Sequence, residues 1–364
     1  MSTNSHFTNP WLRWQESALE ETLNMGHRMR LLPSLVQRAR NVRKGVTQSE
    51  VVYEEDRLKL LHYVGDKPPV HKTPLVFVYA LVNRPYILDL KKGRSVVANF
   101  VERGFDTYLV DWGVPTDADR FLTLDDYING YLVNVMDYVG ERTGSGLVNI
   151  LGYCMGGTMS AMFTALHREY VKNLILLAAP IDFSTRDGML NIWTQSESFD
   201  VDKFVDAFGN CPAEFLQASF LMMRPVQNLI QKPINFFEHM HEEKFLDDFF
   251  ATETWLQDNI SVPGETYRAF VKYLYQQNLL TQGRMPVGKH IVKLENITCP
   301  VLNLIAGEDD LVPCAQSTPF TDFVGSKDRR TVILKGTGHI GLAIGGRAQQ
   351  ELWPQACDWL AARS

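Results

Sequence analysis

The chain has 364 residues and a formal net charge of −6, with a sequence pI near 5.9, which argues against a nucleic-acid binder and for small molecules or proteins as partners. Its apolar and charged fractions are ordinary for a globular protein, enough for one large domain or two smaller ones. No apolar run is long enough to span a bilayer, the opening MSTNSHFTNPWLRWQ lacks a leader pattern, and the five cysteines include no CxxC or His-rich pairing, so the reading is a cytoplasmic protein with no disulfide framework, zinc site or cofactor.

In chain order, residues 1–48 read as an N-terminal helical segment, amphipathic from Trp11 to Lys44 and broken near Pro33. Between Thr22 and Ser49 no residue is acidic, while Arg28, Arg30, Arg38, Arg40, Arg43 and Lys44 are basic; a docking surface and a solvated helix face are equally good readings. VVYEED and LKLLHYV then suggest an antiparallel pair joined by a short polar turn. Six segments follow as buried strands: LVFVYA, TYLVDW, LVNILG, NLILLAAP, PVLNLIAG and RTVILKG. Short apolar runs without polar alternation suit parallel strands covered on both faces. Helical stretches such as SVVANFVERG and TMSAMFTALHREYV lie between them, giving the alternation of a doubly wound, mostly parallel α/β sheet. Residues 49–184 and 291–364 are read as this core. Residues 185–290 contain no good strand and hold eleven of the twenty Phe residues, so they read as a helical cap inserted after the sixth strand.

The strand LVNILG runs into Gly152-Tyr153-Cys154-Met155-Gly156-Gly157 and then a helix, the elbow of the α/β-hydrolase fold with Cys as nucleophile. So tight a turn needs residues nearly without side chains two before and two after the nucleophile, which itself sits strained. The Met155 N–H is expected to face a developing oxyanion, with a second donor, Val82 N–H, from the loop after LVFVYA. His339 follows the last strand in a small-residue loop, where this fold carries its base. Glu308, Asp309 and Asp310 follow PVLNLIAG in the position of the acid, completing the order nucleophile, acid, histidine; Asp309 ranks first, Asp310 second and Asp182 third.

The chain resembles the catalytic subunit of a two-subunit polyhydroxyalkanoate synthase of the class III and class IV kind. The resemblance rests on Val78 to Tyr86, Thr107 to Gly113, Leu124 to Ile128, the Cys154 elbow, Ile297 to Pro300, Asp309 to Pro313 and Gly338 to Ile340, and it covers nearly the whole chain. It implies a catalytic triad of Cys154, Asp309 and His339, and polymerisation of a short-chain (R)-3-hydroxyacyl-CoA, foremost 3-hydroxybutyryl-CoA, with release of CoA. It implies also a smaller accessory subunit, assembly as a homodimer or hetero-oligomer, and a place at the surface of polyester granules. Asp310 stands where that family usually has His, which keeps Asp309 and Asp310 in competition. The rival activity on the same fold is that of a cysteine-type esterase, thioesterase or intracellular polyester depolymerase.

Overall fold

A computed structural model of the chain describes Leu35 and residues 42–364. The helix expected from Trp11 to Lys44 therefore lies almost wholly outside the described residues. Two compact units are present: Lys44–Pro225 with Trp255–Ser364, and a smaller one that includes Leu35 and Val226–Thr254. The smaller is built on Leu35, Met240 and Leu246, with Phe236, Phe245 and Phe250 packed against them. The helical stretch expected as one cap is thus divided between the two units.

The larger unit is organised by an eight-stranded sheet of β1 (Ser49–Glu55), β2 (Leu58–Tyr63), β3 (Leu75–Val78), β4 (Thr107–Asp111), β5 (Val148–Tyr153), β6 (Val171–Leu177), β7 (Val301–Ala306) and β8 (Arg329–Leu334). Its spatial order is β1-β2-β4-β3-β5-β6-β7-β8. The expected hairpin pairs β1 with β2 and joins β4 antiparallel, and every other pairing is parallel. Its turn closes at Asp56, which takes a left-handed φ of 51°. β3, β5 and β7 are buried along their whole length, as apolar runs must be when helices cover both sheet faces.

Two expectations are corrected. RTVILKG is not a buried strand, because β8 is the last in the sheet: Arg329, Arg330 and Ile333 are exposed, Thr331 and Val332 are half-buried, and of its six residues only Leu334 is buried. The stretch 185–290 also contains strand structure, since Met285–Val287 pairs with His290–Val292 and Cys211 bridges Val262. That short hairpin turns at Gly288, with φ of 57°, where the Asp125 carboxylate leaves no room for a Cβ.

The register aligns the carboxyl ends of the parallel strands. Val78 lies opposite both Val110 and Gly152, Tyr153 opposite Leu177, and Ala306 opposite Leu334. The loops that leave β3, β5, β7 and β8 therefore open on one edge of the sheet, the edge at which open α/β sheets hold their ligands.

Candidate active site

β5 delivers the chain into Cys154, which sits at φ 55°, ψ −127° and caps helix α1 (Met155–Leu166). A side-chain-bearing residue in that region stores strain and persists only where its surroundings fix it. Here the Cys154 N–H donates to Leu177 O at 2.9 Å, and its carbonyl accepts from Gly157 N at 2.9 Å. The glycines fit because nothing larger would. A Cβ on Gly152 would meet Gly157 Cα at 2.6 Å, and one on Gly156 would overlap the carbonyl oxygens of Val78 and Tyr79. Eleven of the twelve residues of α1 are buried, so the helix cannot shift to relieve the turn. Cys154 itself is only half-buried.

His339 opens the short helix α2 (His339–Ile344) directly after Gly338. Its Nδ1 lies 2.7 Å from Asp309 Oδ2. The Asp309 side chain is fully buried, and its Oδ1 accepts from the N–H groups of Leu311 at 2.9 Å and Val312 at 2.8 Å. The carboxylate is thus aimed by the backbone of its own loop. Burial opposes a charge on His339, but the nearby charges of Asp309 and Cys154, with hydrogen bonds to both, outweigh it and push the imidazole up to about 10. With Nδ1 on Asp309, the nitrogen left to face Cys154 is Nε2.

The other carboxylates weighed from the sequence are placed elsewhere. Asp310 is about half exposed and pairs with Arg224. Asp182 accepts from Ser184 N at 3.0 Å and Asn278 Nδ2 at 2.9 Å, tying down the segment after β6. Met155 is the first residue of α1, and Val82 lies in the loop that follows β3, whose Val78 and Tyr79 carbonyls border the elbow at Gly156. Among the described residues, no three His, Cys, Asp or Glu side chains converge as metal ligands do.

Sequence reasoning missed two side chains at the site. Tyr153 stacks on the His339 ring, with centroids 5.0 Å apart at 23°, and donates its hydroxyl to His339 O at 3.2 Å. Its signal was an aromatic at the variable position before the nucleophile. Tyr275 lies in a wide helical turn, Phe270–Gln276, packed edge-on against Phe183 at 4.8 Å. Burial, with the charges of Cys154 and Asp309, pushes its hydroxyl well up. In the sequence it was one aromatic among many.

Residues 73–345 match the family model described as alpha/beta hydrolase fold. Residues 35–100 match the model described as the poly-beta-hydroxybutyrate polymerase (PhaC) N-terminus. The poly(3-hydroxyalkanoate) polymerase subunit PhaC of Haloferax mediterranei is 46% identical over 88% of this chain and 65% of its own length. The protein of the same name from Haloarcula marismortui is 43% identical over 100% of this chain and 78% of its own. Among solved structures, a thermophilic esterase from Thermogutta terrifontis superposes with a TM-score of 0.52 at 12% identity, covering 87% of this chain and 100% of that one, a likeness of fold alone.

Proposed function

The chain belongs to the poly(3-hydroxyalkanoate) polymerase family, acyltransferase-type synthases on an α/β-hydrolase fold, and from that premise we propose that it polymerises short-chain (R)-3-hydroxyacyl-CoA through an acyl-Cys154 intermediate. The observation that carries the reading is Cys154 on its strained turn beside His339, whose far nitrogen is held 2.7 Å from buried Asp309. Cys154 is the nucleophile, His339 the base and Asp309 its orienting partner. The N–H groups of Met155 and Val82 bind the oxyanion.

Sulfur suits the task. Transfer from CoA to Cys154 exchanges one thioester for another at little free-energy cost, so the acyl group stays activated for attack by a hydroxyl. General-base help of this kind contributes roughly two to four orders of magnitude in rate. The aromatic residues Phe183, Phe270 and Tyr275 keep water from the acyl-enzyme while an apolar chain grows. The preferred substrate is 3-hydroxybutyryl-CoA. The chain works with a smaller second subunit, as a homodimer or hetero-oligomer, at the surface of the polyester granule. Among the described residues no helix is long and apolar enough to cross a membrane.

The test mixes the purified chain with 3-hydroxybutyryl-CoA, with and without a co-expressed neighbouring-gene product, and follows CoA release and insoluble polymer together. Polymer, with activity enhanced by the second subunit, is the expected result. Free hydroxy acid without polymer would instead identify a hydrolase.

A further inference from the structure

We infer that Trp255 is a positioning residue for the oxyanion-binding loop, fixing the backbone from Tyr79 to Arg84 so that the Val82 N–H meets the reacting carbonyl. The inference rests on the proposed role of that N–H.

The loop has reason to need holding. Asn83 is buried and sits at a left-handed φ of 66°, with its own Oδ1 accepting from Arg84 N at 2.7 Å. Such a conformation in a non-glycine residue lasts only where neighbours over-determine it. Two tryptophans supply that constraint, one on each side. Trp112 Nε1 donates to Tyr79 O at 2.8 Å where the loop leaves β3. Trp255 Nε1 donates to Arg84 O at 2.7 Å where the loop ends.

Trp255 is only 6% exposed and lies in the last turn of the helix Glu243–Gln257. The same chain end grips the loop again three residues later, where Asp258 Oδ2 accepts from the Tyr86 hydroxyl at 3.1 Å and pairs with Lys44. Asp258 is in turn fixed by its N–H to Trp255 O at 3.1 Å. Arg84 precedes Pro85, whose nitrogen has no hydrogen to donate, so the chain here is held through carbonyls and side chains. The loop lies against the elbow: the Val78 and Tyr79 carbonyls touch the space beside Gly156, and the Tyr79 and Tyr153 rings are 5.7 Å apart. A donor on the Arg84 carbonyl therefore acts on the reacting centre without touching it.

Trp255→Phe removes that donor and keeps an aromatic ring. Deleting an oxyanion donor costs roughly 10²–10³ in kcat. Loosening the donor rather than deleting it should cost about ten-fold or more in CoA release from 3-hydroxybutyryl-CoA, with KM unchanged. Alkylation of Cys154 by iodoacetamide forms no oxyanion, so its rate should not change; this also reports that the elbow is intact. Val82→Pro, which removes the N–H itself, is the companion variant and should show the same split, more severely. If Trp255→Phe slows alkylation and CoA release together, Trp255 is merely structural and the inference falls. If Val82→Pro loses CoA release while Trp255→Phe does not, the inference falls and the role of Val82 stands. Normal CoA release from a Val82→Pro variant would overturn both.

Discussion

Replacing Asp309 by Asn should separate orientation of the base from everything else at the site. Oδ1 of Asp309 accepts two backbone N–H groups, from Leu311 and Val312, and Oδ2 accepts from His339 Nδ1. An amide keeps its oxygen on the two backbone donors, so its NH₂ turns to His339 Nδ1. That nitrogen must then accept, and the ring proton moves to Nε2, the atom that faces Cys154. The loop survives, but the neutral imidazole that must accept the proton of the attacking hydroxyl presents a proton there instead of a lone pair. The expected loss is roughly 10²–10⁴ in turnover, as for removal of an orienting carboxylate elsewhere, or about 3–5 kcal/mol of transition-state stabilisation. Asp310 is half exposed, and its pair with Arg224 belongs to a class contributing about 0–1 kcal/mol. Asp310→Asn should therefore stay within a few-fold of wild type. Steady-state CoA release, with circular dichroism and urea midpoints as folding controls, decides the matter. A crippled Asp310→Asn beside a near-normal Asp309→Asn would refute the reasoning.

Cys154→Ala should abolish CoA release and leave the unfolding midpoint near that of wild type, and Cys154→Ser should keep at most a small residue of activity; a fast Cys154→Ala enzyme would remove the nucleophile assignment. Gly156→Ala places a Cβ against the Val78 and Tyr79 carbonyls, which are backbone and cannot swing away; it should cost about 2–3 kcal/mol or more by urea denaturation, and an unchanged midpoint would show that the elbow relaxes. The folded pKa of His339 lies near 10, above its ordinary 6.5. The stability it contributes is therefore fully present below about pH 6.5 and lost as pH rises through about 10. The gap in urea midpoint between wild type and His339→Gln should shrink from pH 6 to pH 10, and a gap that widened would contradict the sign.

The features legible in the sequence are those in which backbone geometry leaves a compositional trace. Gly152 and Gly156 border Cys154 because Cβ atoms there have no space, and that exclusion is visible as letters. The short apolar runs of β3, β5 and β7 likewise show their two-sided burial. The direction of a side chain in an irregular loop leaves no such trace. Asp309 and Asp310 are the same letter, and only the two N–H bonds from Leu311 and Val312 turn one inward. Edge position is hard to read for a related reason: the centre of RTVILKG, Val332 to Leu334, is as apolar as an inner strand, but β8 has a neighbour on one side only. Trp255 was obscured by its setting, since an aromatic in a helical segment serves a core by default, and its hydrogen bond crosses 171 positions of sequence.

In the proposed reaction the raised basicity of His339 is not constant through the cycle, and this lets one imidazole serve both half-reactions. In the free enzyme, burial works against the imidazolium while Asp309 and Cys154 both favour it. The proton therefore rests on His339, ready for the CoA sulfur as the tetrahedral intermediate collapses. Protonated CoA then leaves, and Cys154 is a neutral thioester. The part of His339's raised basicity that came from Cys154 has gone, while burial and Asp309 remain. The imidazole is left neutral, oriented by Asp309, and free to accept the proton of the incoming 3-hydroxyl. Attack of that oxygen on the thioester returns the electron pair to Cys154 sulfur, and with it the charge that restores the imidazolium. Covalent catalysis by sulfur thus supplies its own protonation switch: acylation of Cys154 is the event that turns His339 from proton donor to proton acceptor.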